Sequence, residues 1–157
     1  MLVRSHITRA PAFFADRILK ILQNNALQNL RALVVDDDAE VGRIVEYVLR
    51  DMGVGRVRRF EDGMAALAEF ADLPDNYDLI ICDWMMPGMS GLEVLRGVRA
   101  LSRSVPFMML TANVTADSVG AAKQHGVSAY VRKPFTVEEL QKKLNVLLEK
   151  AAAHAGR

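Results

Sequence analysis

The sequence contains one cysteine, no long apolar run and almost no net charge. Cys82 is the only cysteine among 157 residues, so an intrachain disulfide is excluded and nothing points to an oxidising compartment. No segment approaches the roughly 20 apolar residues of a membrane span, and the first residues lack the continuous apolar stretch of a secretory signal. The formal charge of +1 gives no signature of nucleic-acid or anionic-membrane binding. We therefore expect a cytoplasmic protein with no nucleic-acid or membrane partner.

A regular alternation of strand-like and helix-like segments follows residue 30. Short apolar or β-branched runs predict five strands, at residues 31–35, 56–60, 78–82, 105–110 and 129–132. Each run is followed by apolar residues at helical spacing. Parallel neighbours need such helical crossovers, so the pattern predicts an α/β fold, a doubly wound parallel sheet with helices on both faces.

Local signals predict where several of these helices begin and end. Ser90 with Glu93, and Thr136 with Glu139, form capping-box patterns that open two helices. Thr115 is expected to cap a further helix that runs to about residue 125, where Gly126 would terminate it.

Polar side chains follow four of the five predicted strands. Asp36, Asp37 and Asp38 follow the first, Asp83 the third, Thr111 the fourth and Lys133 the fifth. In a doubly wound sheet these strand ends meet at one edge, where the functional crevice lies. Asp38 is best explained as a helix N-cap. The other acidic groups would repel one another unless a cation lay among them, and carboxylate oxygens suit Mg²⁺. A lysine and a hydroxyl opposite would complete an electrostatic site for a phosphoryl group.

Four segments in this order, LVVDDD, DLIICDWMMPGMSGLEVL, MLTA and AYVRKPF, carry a family resemblance. Over residues 31–150 the chain resembles the receiver domain of two-component response regulators, the CheY-like fold. The resemblance implies a flavodoxin-like, five-stranded sheet with strand order 2-1-3-4-5. It also implies a cis peptide bond between Lys133 and Pro134.

The resemblance assigns a role to each residue at the strand ends. Asp83 corresponds to the phosphoacceptor, and Lys133 to the lysine that contacts the phosphoryl oxygen. Thr111 corresponds to the switch hydroxyl and Tyr130 to the aromatic residue whose rotamer follows activation. The implied ligands of Mg²⁺, or of Mn²⁺, are the carboxylates of Asp36, Asp37 and Asp83 and the backbone carbonyl of Met85.

In function, the resemblance implies a phosphoacceptor signalling protein rather than an enzyme with a separate substrate. It would take its phosphoryl group from a sensor histidine kinase or a histidine phosphotransfer protein, and would promote its own phosphorylation and dephosphorylation. A downstream protein target would bind residues 115–150 or the N-terminal helix. The apolar side chain of Met85 offers a hydrolytic water no hydrogen bond, so we expect the hydrolysis rate of phospho-Asp83 not to be especially high.

The two ends of the chain lie outside the resemblance. Residues 1–30 form an N-terminal extension, in which Phe14, Ile18, Ile21 and Leu22 share one face of a predicted amphipathic helix. This helix would pack on the domain's own flank, pair with a second protomer in a homodimer, or bind a separate partner. Residues 151–157 are expected to be a fraying tail and not an output domain, so that signalling would use surface binding.

The residues are also compatible with two other functions. Asp36 and Asp38 form the Asp-x-Asp pair of haloacid-dehalogenase phosphatases, but that motif expects Thr or Val where Glu40 stands. That family also needs late acidic metal ligands, whereas the corresponding strand here ends at Lys133. The second alternative is a receiver-shaped binding module that is never phosphorylated.

Overall fold

The computed structural model describes residues 26–155, in which strands and helices alternate. In chain order the elements are β1 (Arg31–Val35), α1 (Ala39–Asp51), β2 (Arg56–Phe60), α2 (Gly63–Asp72), a 3-10 turn (Pro74–Asn76), β3 (Leu79–Asp83), α3 (Gly91–Leu101), β4 (Phe107–Thr111), α4 (Ala116–Gln124), β5 (Ala129–Arg132) and α5 (Val137–Ala155). The predicted five β-α units are therefore confirmed.

The five strands form one parallel sheet in the order β2-β1-β3-β4-β5. This is the strand order that the resemblance implied. β3 and β4 are buried along their whole length, as central strands covered on both faces must be. β2 lies at the edge and exposes its arginines, which discourages pairing with another chain.

Two hydrophobic clusters cover the two faces of the sheet. Val45, Val48 and Leu49 of α1 join Leu140 and Leu144 of α5 on one face. Side chains of α2 and α3 cover the other face, where they pack against alternate residues of the same strands. Because side chains alternate along a strand, each buried strand contributes to both clusters.

The predicted helix caps are present. Asp38 Oδ1 accepts hydrogen bonds from the backbone N–H groups of Glu40 and Val41, at 2.9 and 3.3 Å. The Ser90–Glu93 box is formed in both directions, and so is the box between Thr136 and Glu139. Thr115 caps α4, and Gly126 follows its end with a φ of 82°, a value that favours glycine.

The boundaries differ from the sequence-based expectation in three places. β3 and β4 each include the polar residue at their end, Asp83 and Thr111. The prediction that the chain frays after residue 150 is wrong for residues 151–155, because α5 continues through Ala155. Alanine has the highest helix propensity, so the run of alanines extends the helix at little cost.

The amphipathic helix predicted within residues 1–30 lies almost entirely outside the described residues. Within residues 26–30, the N–H of Leu30 donates to the carbonyl of Leu27 at 3.0 Å, which closes a turn before β1. Between residues 26 and 155, no helix is both long enough and apolar enough to span a membrane.

Candidate functional site

Strand register brings two carboxylates together at the carboxyl edge of the sheet. Val35 pairs with Cys82 in the β1–β3 ladder, so the next residues, Asp36 and Asp83, are neighbours. Asp36 is held there because its N–H donates to the carbonyl of Phe60 at 3.0 Å. Asp83 is the last residue of β3. The parallel arrangement thus places both acids at one end of the molecule.

Asp36, Asp37 and Asp83 form one acidic cluster. Each offers a carboxylate oxygen, and these oxygens lie within 4.8 Å of one another. Asp36 and Asp83 are only 2% and 5% exposed, whereas Asp37 is open to solvent. Oxygen ligands with this mixture of burial and access suit a hard divalent cation that keeps part of its water shell. The three predicted carboxylate ligands are therefore brought together, and the residues fit Mg²⁺.

Lys133 lies between two of these carboxylates. Its Nζ donates to Asp36 Oδ2 at 2.8 Å and lies 3.2 Å from Asp83 Oδ1. Burial lowers the pKa of Lys133, but the hydrogen bond to Asp36 and the charges of both acids outweigh burial, so the net pKa is raised. Lys133 is therefore a fixed positive charge at the cluster. The Lys133–Pro134 bond is cis, as the resemblance implied.

The Asp83 carboxyl is poorly stabilised as an anion. Burial and then the neighbouring charge of Asp36 raise its pKa to about 6, although Lys133 opposes both effects. A carboxylate held in this way gains from any cation that enters the cluster. Binding of a positively charged ligand beside Asp83 is therefore electrostatically favoured.

Thr111 and Tyr130 belong to the two strands beyond β3, Thr111 to the end of β4 and Tyr130 to β5. Thr111 is buried at the end of β4, and its hydroxyl donates to the carbonyl of Asn113 and accepts from the N–H of Asn113, both at 3.0 Å. Tyr130 is half-buried against the α2–α3 cluster, and its ring lies 5.9 Å from Lys143 Nζ. The Thr111 hydroxyl is thus engaged with its own loop, and a different partner would require that loop to move.

Backbone hydrogen bonds hold the start of the loop that follows β3. Both backbone groups of Trp84 are hydrogen-bonded: its N–H donates to the Leu110 carbonyl, and its carbonyl accepts from the N–H of Gly91, each at 2.8 Å. The side chain of Met85 is 67% exposed, so this residue presents only an apolar, flexible side chain to solvent at the site.

The comparisons with known proteins agree with this geometry. The family model described as the response regulator receiver domain matches residues 32–145. The chain belongs to the response regulator receiver domain family. It is 38% identical to the chemotaxis protein CheY of Pseudomonas aeruginosa over 123 residues, which cover 77% of this chain and 98% of that protein. It is 35% identical to CheY-3 of Vibrio cholerae over 125 residues, 78% of this chain and 95% of the relative.

A solved structure shows the same receiver fold. The chemotaxis protein CheY4 of Vibrio cholerae superposes with a TM-score of 0.69 and 32% sequence identity, covering 75% of this chain and 98% of that one. The receiver is accordingly a response regulator of two-component signalling. The family match also excludes the haloacid-dehalogenase alternative, which only the Asp-x-Asp pair supported.

One residue that shapes the receiver site was not singled out from the sequence. A Cβ on Gly91 would lie 2.2 Å from the carbonyl oxygen of Asp83 and 2.9 Å from the sulfur of Met109. Glycine therefore allows the start of α3 to approach the end of β3. The only signal in the sequence is a glycine directly after the Ser90 cap, and that signal does not by itself indicate a close approach.

Proposed function

We propose that the protein accepts a phosphoryl group on Asp83 from a phosphohistidine of a sensor histidine kinase or phosphotransfer protein, in a Mg²⁺-dependent reaction. The observation that carries this proposal is the position of Lys133 Nζ, which contacts Asp36 and Asp83 within a cluster of three carboxylates. A cluster of three carboxylates, two of them buried, with one fixed cation suits phosphoryl chemistry, in which catalysis consists mainly of positioning and charge stabilisation.

The three carboxylates, with the backbone carbonyl of Met85, would hold the metal. When bound, Mg²⁺ supplies positive charge that offsets the negative charge of the phosphoryl oxygens. Asp83 is the nucleophile: its carboxylate oxygen forms the new bond to phosphorus while the phosphorus–nitrogen bond of the donor breaks, and the donor nitrogen keeps that electron pair. Lys133 donates to a phosphoryl oxygen, which requires it to loosen its present contact with Asp36 or Asp83. The same groups would assist hydrolysis of the acyl phosphate.

We infer that the response passes from Asp83 to the surface through Thr111 and Tyr130. In the structure Thr111 bonds to Asn113, so a new hydrogen bond to the phosphoryl group would pull the loop before α4. α4 is held weakly, since Ala122 is its only buried residue. Tyr130, half-buried on the same face of the sheet, would fill space that Thr111 leaves. The altered surface within residues 115–150 would bind the downstream target.

The test is incubation of the full chain with Mg²⁺ and a small phosphodonor, followed by intact-mass measurement. We expect one added phosphoryl group in the unaltered protein and in Asp38→Asn, because Asp38 acts only as a helix cap and asparagine caps equally well. Asp83→Asn should gain no mass. Absence of a mass change in the unaltered protein, with small phosphodonors and with a panel of sensor kinases, would favour the unphosphorylated binding module.

A further inference from the structure

A second concave site lies at the opposite end of the receiver from the acidic cluster. This basal groove has a volume of about 780 Å³ and is lined by residues that precede β3, β4 and β5, and by the last turns of α5. Its apolar lining includes Pro74, Tyr77, Val105, Pro106, Leu147 and Ala151. Charged residues of both signs, Asp75, Asp78, Arg103 and Lys150, stand at its rim.

One wall of the basal groove comes from the last turns of α5. The receiver match ends at residue 145, whereas Leu147, Lys150, Ala151 and His154 all line the groove. The N-terminal segment also lies outside the match, which begins at residue 32.

Backbone hydrogen bonds anchor the end of the N-terminal segment near this groove. The N–H of Gly55 donates to the carbonyl of Leu27 at 3.1 Å, and the N–H of Arg56 donates to that of Leu30 at 3.2 Å. A Cβ on Gly55 would lie 1.7 Å from the carbonyl oxygen of Gln28, so only glycine permits this approach. The chain therefore enters the receiver at a fixed point beneath β1 and β2.

Arg31 connects that entry point to the rim of the groove. Its guanidinium donates to the carbonyl of Asp75 at 2.7 Å and to Asp78 Oδ2 at 3.2 Å, and both acids line the groove. Neighbouring strands are about 4.8 Å apart, so the groove beneath β3 and β4 is about 10–15 Å from the entry point. Residues 26 and 27 are helical, and a helix that extended back from them would place residues 14–22 about 8–20 Å from residue 27, a range that includes the groove.

We propose that the basal groove binds the chain's own N-terminal segment, residues 11–22, through its apolar face of Phe14, Ile18, Ile21 and Leu22. The segment's charges suit the rim, because Arg17 and Lys20 can face the acids there and Asp16 the bases. Attachment through only a few residues gives a high effective concentration, which favours this occupant over a separate partner.

Docking would bring the segment against the surface proposed to bind the target. Ser128, Leu147 and Lys150 line the basal groove and also a smaller neighbouring one that contains Tyr130. A segment bound in the basal groove would therefore lie next to the smaller groove that contains Tyr130. The phosphoacceptor chemistry is at the other edge of the sheet, so this proposal stands or falls independently of the proposed function.

The first experiment compares Ala151→Arg with Ala152→Arg in the full chain. The two alanines are neighbours on α5, but only Ala151 lines the groove, and Ala152 is exposed. We expect Ala151→Arg to expel the segment, so that trypsin cleaves at Arg17 and Lys20 about tenfold faster, while Ala152→Arg leaves the rate unchanged. Equal cleavage rates in both variants and in the unaltered protein would overturn the proposal.

The second experiment places cysteines at positions 18 and 104, as Ile18→Cys with Ser104→Cys. Ser104 is an exposed residue of the groove, and the natural Cys82 is buried. Mild oxidation should give a cross-link within one chain whose yield does not change on dilution. A control pair of Ile18→Cys with Glu61→Cys, at the other edge of the sheet, should not cross-link. A cross-link only between chains, which weakens on dilution, would assign the groove to a second copy and overturn the proposal, as would no cross-link.

Discussion

The Nζ of Lys133 contacts two acids at the carboxyl ends of different strands, since it lies 2.8 Å from Asp36 Oδ2 and 3.2 Å from Asp83 Oδ1. Residues almost 100 positions apart in the chain thus meet in one ion-paired group. The lysine offsets the repulsion between the acids, and it is positioned to contact a phosphoryl group on Asp83.

Lys133→Ala should slow phosphorylation of Asp83 by a small phosphodonor by about 10²-fold, because one preorganised donor to the phosphoryl oxygens is lost. The rate is measured by intact mass at saturating Mg²⁺. Lys142→Ala, on the exposed surface of α5, serves as the control and should phosphorylate at the normal rate. An equal rate in the two variants would contradict the role given to Lys133.

Asp83→Asn should stabilise the metal-free protein at pH 7. The folded pKa of Asp83 is raised to about 6 by burial and by Asp36, so the carboxyl's contribution to stability is present below about pH 4 and is lost as pH rises through 6. Asparagine does not ionise, so the variant does not lose this stability. We expect its free energy of unfolding to be higher by on the order of 1–2 kcal/mol after allowance for solvent screening.

Urea unfolding in the presence of a chelator measures this gain. The difference between Asp83→Asn and the unaltered protein should shrink when the measurement is repeated at pH 4. A gain that is the same at both pH values would show that ionisation of Asp83 is not its cause.

Mg²⁺ affinity should fall as the pH drops below about 6. The metal binds the ionised carboxyl, and the pKa of Asp83 in the metal-free protein is raised to about 6, so protons compete with the cation below that value. Trp84, directly after Asp83, provides a fluorescence signal for the titration. We expect roughly tenfold weaker binding for each pH unit below 6. A constant affinity between pH 5 and 7 would count against Asp83 as a ligand.

Met85→Asn should speed hydrolysis of phospho-Asp83. The Met85 side chain is 67% exposed two residues after the phosphoacceptor, and an amide there can orient a water that a thioether cannot. Met64→Asn is a matched control, since Met64 is 65% exposed at the start of α2. Loss of the phosphoryl mass is timed after removal of the donor. A half-life that is unchanged or longer in Met85→Asn would contradict the prediction.

Gly91→Ala and Gly120→Ala should change stability in opposite directions. The added methyl at Gly91 would meet the Asp83 carbonyl at 2.2 Å, so we expect a loss of about 2–3 kcal/mol. A methyl at Gly120, inside α4, meets nothing within 4 Å, and its higher helix propensity should add about 0.5–1 kcal/mol. Urea unfolding of the two variants provides the comparison. A destabilised Gly120→Ala variant would show that α4 is not loosely packed.

The parts of the receiver that depend on local chemistry could be predicted from the amino-acid sequence. Apolar runs indicated the five strands, and capping patterns such as Ser90 with Glu93 indicated where helices begin, because these signals arise between residues close in the chain. The polar residues at the strand ends, Asp36, Asp83 and Lys133, could also be predicted as site residues, because the carboxyl ends of parallel strands lie at one edge of the sheet.

Features that depend on distances between remote segments of the chain became visible only in the folded molecule. The contact of Lys133 with both acids, the raised pKa of Asp83 and the close approach of Gly91 to the end of β3 all result from packing between elements. The basal groove likewise forms where the last turns of α5 lie beside the loops before β3 and β4. Burial and electrostatic energies depend on which groups surround a residue in space, and no local pattern in the chain contains that information.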